Sequence, residues 1–175
     1  MITSRSLRIP DATIARYPSA AQPPAPHTAA EQARLFQLLR VANADTIAVG
    51  HGRQPASVRA GDAIAAAWTR DAGTVQSVVS WPAAAASWLP PECRLTAANP
   101  DAVVVANTAA GFARLALRLA SQGGWAANRT LGFASVANTD LIALTGTTLT
   151  GMTGATSAGD SWLIGHGLLI LEDQP

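Results

Sequence analysis

Three consecutive valines, Val103, Val104 and Val105, flanked by Ala102 and Ala106, constrain this chain more than any other stretch. β-Branched side chains are stiff at χ1 and pack well on a pleated surface. A continuous apolar run of this length reads as a strand buried on both faces. Asn99-Pro100-Asp101 bounds the run before it and Asn107-Thr108 after it. A helical pattern follows from Thr108 to about Gln122 and closes at Gly123-Gly124. Strand, short polar loop and helix is the opening of a parallel βα unit. Asn107 and Thr108 are then expected outside the carboxyl end of a strand, where open α/β sheets bind ligands.

The remaining chain supplies companions for that strand. Thr46-Ile47-Ala48-Val49 reads as a first confident strand, running into the loop 50–55. Residues 74–81 form a second, residues 130–134 a fourth, and residues 149–155 a fifth, thinned by glycine. After a turn at 157–160, residues 162–164 and 167–171 read as a closing pair. Thr28-Ala29-Ala30-Glu31 makes a capping box that starts a helix to about Val41. Ser57 is the expected N-cap of a helix over 58–72, and Asn138 or Thr139 that of a short helix over 140–145. In the crossover 82–98, residues 83–89 can be helical, Pro90-Pro91 stops them, and only 93–98 can resume. Strand and helix alternate about four times. Right-handed crossovers make that a doubly wound, mostly parallel sheet of about five strands with helices on both faces.

At 175 residues the chain is expected to form one α/β domain, over 28–175. Residues 1–27 read as an N-terminal extension and connector, with short edge strands at 6–9 and 13–17 and a proline-rich run at 20–26. Hydrophobic residues make up 49% of the chain and charged ones 13%, which excludes a disordered polyelectrolyte. All 12 basic residues are arginine, and the net charge of +1 supplies no field for nucleic acid or an anionic membrane. The single Cys93 excludes an internal disulfide and a cysteine-based metal site. No apolar window reaches the roughly 18 residues that a membrane span needs. The start lacks the apolar core of a signal peptide, so the protein is expected to be cytoplasmic if the sequence is whole, or else a mature or excised piece.

In such a sheet the loops after the strands meet on one rim. Here they carry His51, Gly52 and Arg53, Ser57, Trp81, Asn107 and Thr108, and Ser135 and Asn138. Hydroxyls, amides, one histidine and one arginine suit hydrogen bonding to a small polar ligand, with a tryptophan to stack on it. Each has a plainer role as well. Ser57, Thr108 and Asn138 serve as N-caps, His51 and Arg53 as solvated loop residues, and Trp81 as core. No carboxylate enters the rim before Asp140.

Catalytic signatures are scarce. The chain has no Gly-x-Ser-x-Gly elbow, no Walker loop and no His-Glu-x-x-His pair, and Gly50-His51-Gly52 lacks the third glycine of a dinucleotide loop. His27, His51 and His166 are far apart and suggest no metal. Neither a cofactor nor a catalytic residue is assigned. An α/β enzyme using His51 as acid and base on the same rim, and a structural or assembly subunit, stand as alternatives.

The order of pieces resembles one lobe of the type I periplasmic binding proteins, the branched-chain amino acid and amide receptors of ABC transporters. The matching segments are Ile47-Ala48-Val49-Gly50 with Gly61, Gly73-Thr74-Val75, and Ala97-Ala98-Asn99-Pro100-Asp101-Ala102-Val103. Further on are Ser121-Gln122-Gly123-Gly124-Trp125, then 141–146 and Leu149-Thr150-Gly151, and Arg16-Tyr17-Pro18-Ser19 is similar to the segment that enters such a lobe. The resemblance covers about residues 13–156. It implies ligand contacts from 51–53, Asn107-Thr108, and Ser135 with its neighbours. It also implies an amino acid or amide-like ligand, an extracytoplasmic location, and either a homodimer or a second lobe to complete the cleft. The chain departs from the family in offering no carboxylate in the matching loops, and in Pro90-Pro91. The expectation is a non-enzymatic domain that binds a small polar ligand.

Overall fold

Along the strand Ala102–Ala106, Val103 and Val105 enter one apolar cluster, and Ala102, Val104 and Ala106 enter another. A strand alternates its side chains between two faces, so a run buried at every position must lie between two layers. The computed structural model describes residues 9–71, 73–82 and 89–172. In chain order its elements are α1 (Asp11–Ile14), α2 (Ala29–Val41), β1 (Thr46–Gly52), α3 (Pro55–Arg70) and β2 (Thr74–Trp81). Then come α4 (Leu89–Thr96), β3 (Ala102–Ala106), α5 (Ala109–Gln122), β4 (Thr130–Gly132) and α6 (Thr139–Thr145). The chain finishes with β5 (Thr153–Ala155), β6 (Ser161–Gly165) and β7 (Leu168–Glu172).

The strands form one mostly parallel, seven-stranded sheet in the order β2-β1-β3-β4-β5-β6-β7. The first five are parallel, and β6 and β7 add to the far edge antiparallel. That change of direction follows from connection length. A crossover to a parallel strand needs a dozen or more residues, whereas a hairpin needs two. His166 and Gly167, both at positive φ (49° and 80°), make the β6–β7 turn, as a primed hairpin turn requires.

Helices cover both faces. On one, Leu35 and Leu39 of α2 and Ile64 and Trp68 of α3 pack against Ile47, Val49 and Val104. On the other, Leu95 of α4, Phe112, Leu115 and Leu119 of α5 and Leu141 of α6 pack against Ala48, Val103 and Val105. At the amino ends of the strands, Asp101 Oδ2 accepts from Thr46 N (2.8 Å), Thr46 Oγ1 (2.8 Å) and Asp45 N (3.1 Å). These donors hold the Asp101 carboxyl below its ordinary pKa, the Thr46 backbone N–H most of all. No helix among the described residues is long and apolar enough to cross a membrane.

Several local expectations need correction. Residues 13–17 are not a strand; a helical turn spans Asp11–Ile14, and a 3-10 turn spans Pro18–Ala21 with Ala20 fully buried. Residues 6–8 of the other expected edge strand lie outside the described residues. Pro90-Pro91 sits in the first turn of α4, where the missing N–H has no partner to lose, so this helix begins before residue 93, the expected point of resumption. Residues 83–88 are likewise outside the description. The fifth strand shrinks to Thr153–Ala155, because Gly146–Leu149 winds into a 3-10 turn and Gly151 takes φ 91°. Ser57 is not the cap of α3. Pro55 already holds the first helical position, Gln54 is the N-cap, and Ser57 lies inside the first turn.

Candidate functional site

Strand order β2-β1-β3-β4 means that α3 leaves β1 in one direction and α5 leaves β3 in the other. The carboxyl ends of β1 and β3 therefore form the topological switch point, the position at which doubly wound sheets place ligands. His51 pairs with Ala106 across these strands, which sets Gly52 beside Asn107. A Cβ on Gly52 would stand 2.5 Å from Asn107 Oδ1 and in collision with Gln54 Oε1, so only glycine admits both amides. Asn107 Oδ1 accepts from Thr108 N (2.7 Å), and Thr108 Oγ1 accepts from Gly111 N (3.0 Å), which caps α5. Beside them, three buried polar atoms have no hydrogen-bond partner among the described residues: Gln54 Oε1, Ser57 Oγ and Asn107 Nδ2. Buried polar groups are nearly always paired; of these three, Ser57 alone lines a cavity, and Gln76 Oε1 and Trp125 Nε1, away from this point, are likewise without a partner among the described residues.

A cavity of about 180 Å³ adjoins this point on the α2–α3 face. Ala56, Ser57 and Ala60 of α3 form one wall, and Ala106, Phe133, Ala134 and Ser135 at the ends of β3 and β4 form another. Pro24, Ala25, Pro26 and His27, at the end of the proline-rich run, add to the lining, and the His27 ring meets Phe133 edge-to-face at 5.9 Å. Glu31 completes the lining, 3% exposed. Its Oε1 accepts from Ala134 N (2.6 Å) and its Oε2 from Thr28 N (3.2 Å). Burial raises the Glu31 pKa, against the opposing pull of those two N–H groups and of His27.

Of the residues expected on the rim, the fold brings Ser57 and Ser135 into this cavity. Gly52, Asn107 and Thr108 stand at the adjoining switch point. The others face elsewhere. His51 is 7% exposed, its Nδ1 lies 2.8 Å from Gly52 O, and its ring packs on Gly61 of α3. Trp81 is fully buried in the core, packed on Gly50, with Nε1 donating to Gly111 O (3.2 Å). Arg53 is exposed. Asn138 caps α6 and also binds the N-terminal segment, its Nδ2 donating to Ser19 O (3.2 Å).

The residue that sequence reasoning missed is Glu31. Its capping box forms as expected. The contact that turns its carboxylate into cavity wall comes from Ala134, remote in sequence, and no local pattern announces it. Among the described residues no group of three histidine, cysteine, aspartate or glutamate side chains could hold a metal ion.

No protein-family model and no curated protein matches the sequence. Solved structures do match the fold. A substrate-binding periplasmic protein from Ralstonia solanacearum superposes with a TM-score of 0.63 at 20% identity, over 78% of this chain and 39% of its own. An extracellular ligand-binding receptor from Rhodopseudomonas palustris gives 0.61 at 20% identity, over 73% of this chain and 36% of its own. A leucine-binding protein from Thermotoga maritima gives 0.60 at 17% identity, over 70% and 35%. The chain thus spans little more than a third of the length of these structures, and it shares the fold of the part it covers.

Proposed function

We propose that this chain, folded like part of a periplasmic binding protein, is a non-enzymatic module that binds a small polar solute at the carboxyl rim of its sheet. The observation that carries the reading is the cavity itself. It lies beside the topological switch point, mostly apolar, with a buried carboxylate and a serine hydroxyl that has no partner among the described residues in its wall. Apolar walls with a few fixed polar groups are the usual make-up of small-molecule sites. His51 supports no acid–base alternative, since its ring is packed on Gly61 and does not line the cavity.

The same reading places the protein outside the cytoplasm, serving solute capture for transport or sensing. A second lobe or a second copy of the chain would then close over the rim, as domain closure does in two-lobed receptors. A thermal-shift screen of amino acids, amides and small amines tests the binding claim. A true ligand at a hundredfold excess over its Kd stabilises by about 2.7 kcal/mol, which moves Tm by roughly 5–10 °C in a domain of this size. A melting point that none of these solutes moves would refute it.

A further inference from the structure

We infer that the cavity selects a small organic cation, an ammonium group on a short apolar body, and that Glu31 is its counter-ion. This rests on the reading of the cavity as a solute site and narrows it to one chemical class.

Charge balance is the first argument. The Glu31 side chain is buried at the cavity wall, and its two oxygens each accept one backbone N–H. A carboxylate has about four lone-pair sites, so both oxygens keep acceptor capacity. Among the described residues no arginine lines the cavity, and the chain contains no lysine. Arg34, one turn further along α2, donates instead to Ser161 Oγ (2.7 Å) and to Gln37 Oε1 (3.1 Å). His27 is the other ionisable side chain in the lining. A buried charge needs a partner of opposite sign; His27 attracts the carboxylate when protonated, and where histidine is neutral a cationic solute is the group that can supply it.

Shape and polarity make the second argument. An ammonium brings three donors. Glu31 can accept one, and the hydroxyls of Ser57 and Ser135, in the same lining, can accept others; the Ser57 hydroxyl has no other partner among the described residues. Around them Ala56, Ala60, Ala106 and Phe133 offer apolar surface to a short hydrocarbon body. The small volume, about 180 Å³, also argues against a zwitterion. An α-carboxylate is only two bonds from its ammonium, and that would hold it within a few ångströms of Glu31, where like charges repel strongly in a low-dielectric site.

The test compares four solutes of similar size by calorimetry on the full chain at pH 8, where histidine ordinarily carries no charge. They are n-butylammonium, butyramide, butanoate and L-norvaline. Butylammonium is expected to bind at least about tenfold more tightly than each of the others, the scale of one charge-assisted hydrogen bond. Glu31→Gln is expected to abolish that preference while leaving butyramide affinity within about threefold. Norvaline or butyramide binding as tightly as butylammonium would overturn the selectivity and leave the solute site standing. No binding by any of the four, together with a silent thermal-shift screen, would overturn both. Should Glu31→Gln not fold, the ranking of the four solutes on the wild-type chain decides alone.

Discussion

The side-chain oxygen of Asn107 lies 2.5 Å from where a Cβ on Gly52 would stand, so the end of β1 and the start of α5 fit together only through a glycine. Asn107 is fully buried and its oxygen already accepts from Thr108 N, so it cannot swing aside cheaply. Gly52→Ala is therefore expected to destabilise the fold by about 1–3 kcal/mol, the range of overpacked sites. The same change should weaken solute binding by displacing the Asn107 and Gln54 amides. Denaturant unfolding and calorimetry on the one variant check both effects.

Ser57→Ala should separate stability from binding. The hydroxyl is buried and unpartnered among the described residues, so removing it takes away a desolvated polar group and no hydrogen bond. Stability is expected to hold or to rise by up to about 1 kcal/mol, while solute affinity falls. A variant that loses stability and keeps its affinity would assign Ser57 a packing role alone.

Gly154 tests the sheet beyond the site. A Cβ there would collide with the carbonyl oxygen of Gly132 on β4 and with the Trp162 ring, which is itself fully buried. Backbone in a ladder cannot yield as a flexible side chain can. Gly154→Ala is expected to cost more than about 3 kcal/mol, read as a large fall in the unfolding midpoint.

Asp101 and Glu31 pull stability in opposite directions with pH. The Asp101 pKa is lowered in the fold, so its contribution is present above the ordinary carboxylate range and lost as pH falls from that range through the lowered value. Asp101→Ala should accordingly melt below the wild type at pH 7, and the gap should close on acidification. The Glu31 pKa is raised, so the native state holds that proton more tightly than the unfolded chain does. Its contribution is fullest at low pH and declines as pH rises through the raised value. Melting curves of the wild type and of each single variant between pH 3 and pH 8 would resolve the two slopes.

The α/β alternation, the buried valine strand, the Thr28–Glu31 capping box and the helix that became α5 were legible because each rests on local periodicity or a short-range hydrogen bond. Trp81 shows where such reasoning stops. Its place at a strand end was plain, yet alternation alone does not say whether a side chain faces a helix or a ligand, and packing on Gly50 turned it into core. Ser57 shows the same limit in a helix start, because a cap preference is a property of the residue type and Pro55 had already taken the first turn.

By itself, the sequence determined that strand and helix alternate, where the central buried strand and its following helix lie, and which loops follow the strands. These follow from side-chain stiffness and from periods of 2 and 3.6 residues, which act within a few positions of the chain. Tertiary structure alone decided the strand order, that the proline-rich run lines the cavity, that Ala134 N meets Glu31, and that a buried carboxylate becomes cavity wall. Those contacts join residues far apart in sequence, and their energy depends on burial, a quantity that no isolated segment possesses.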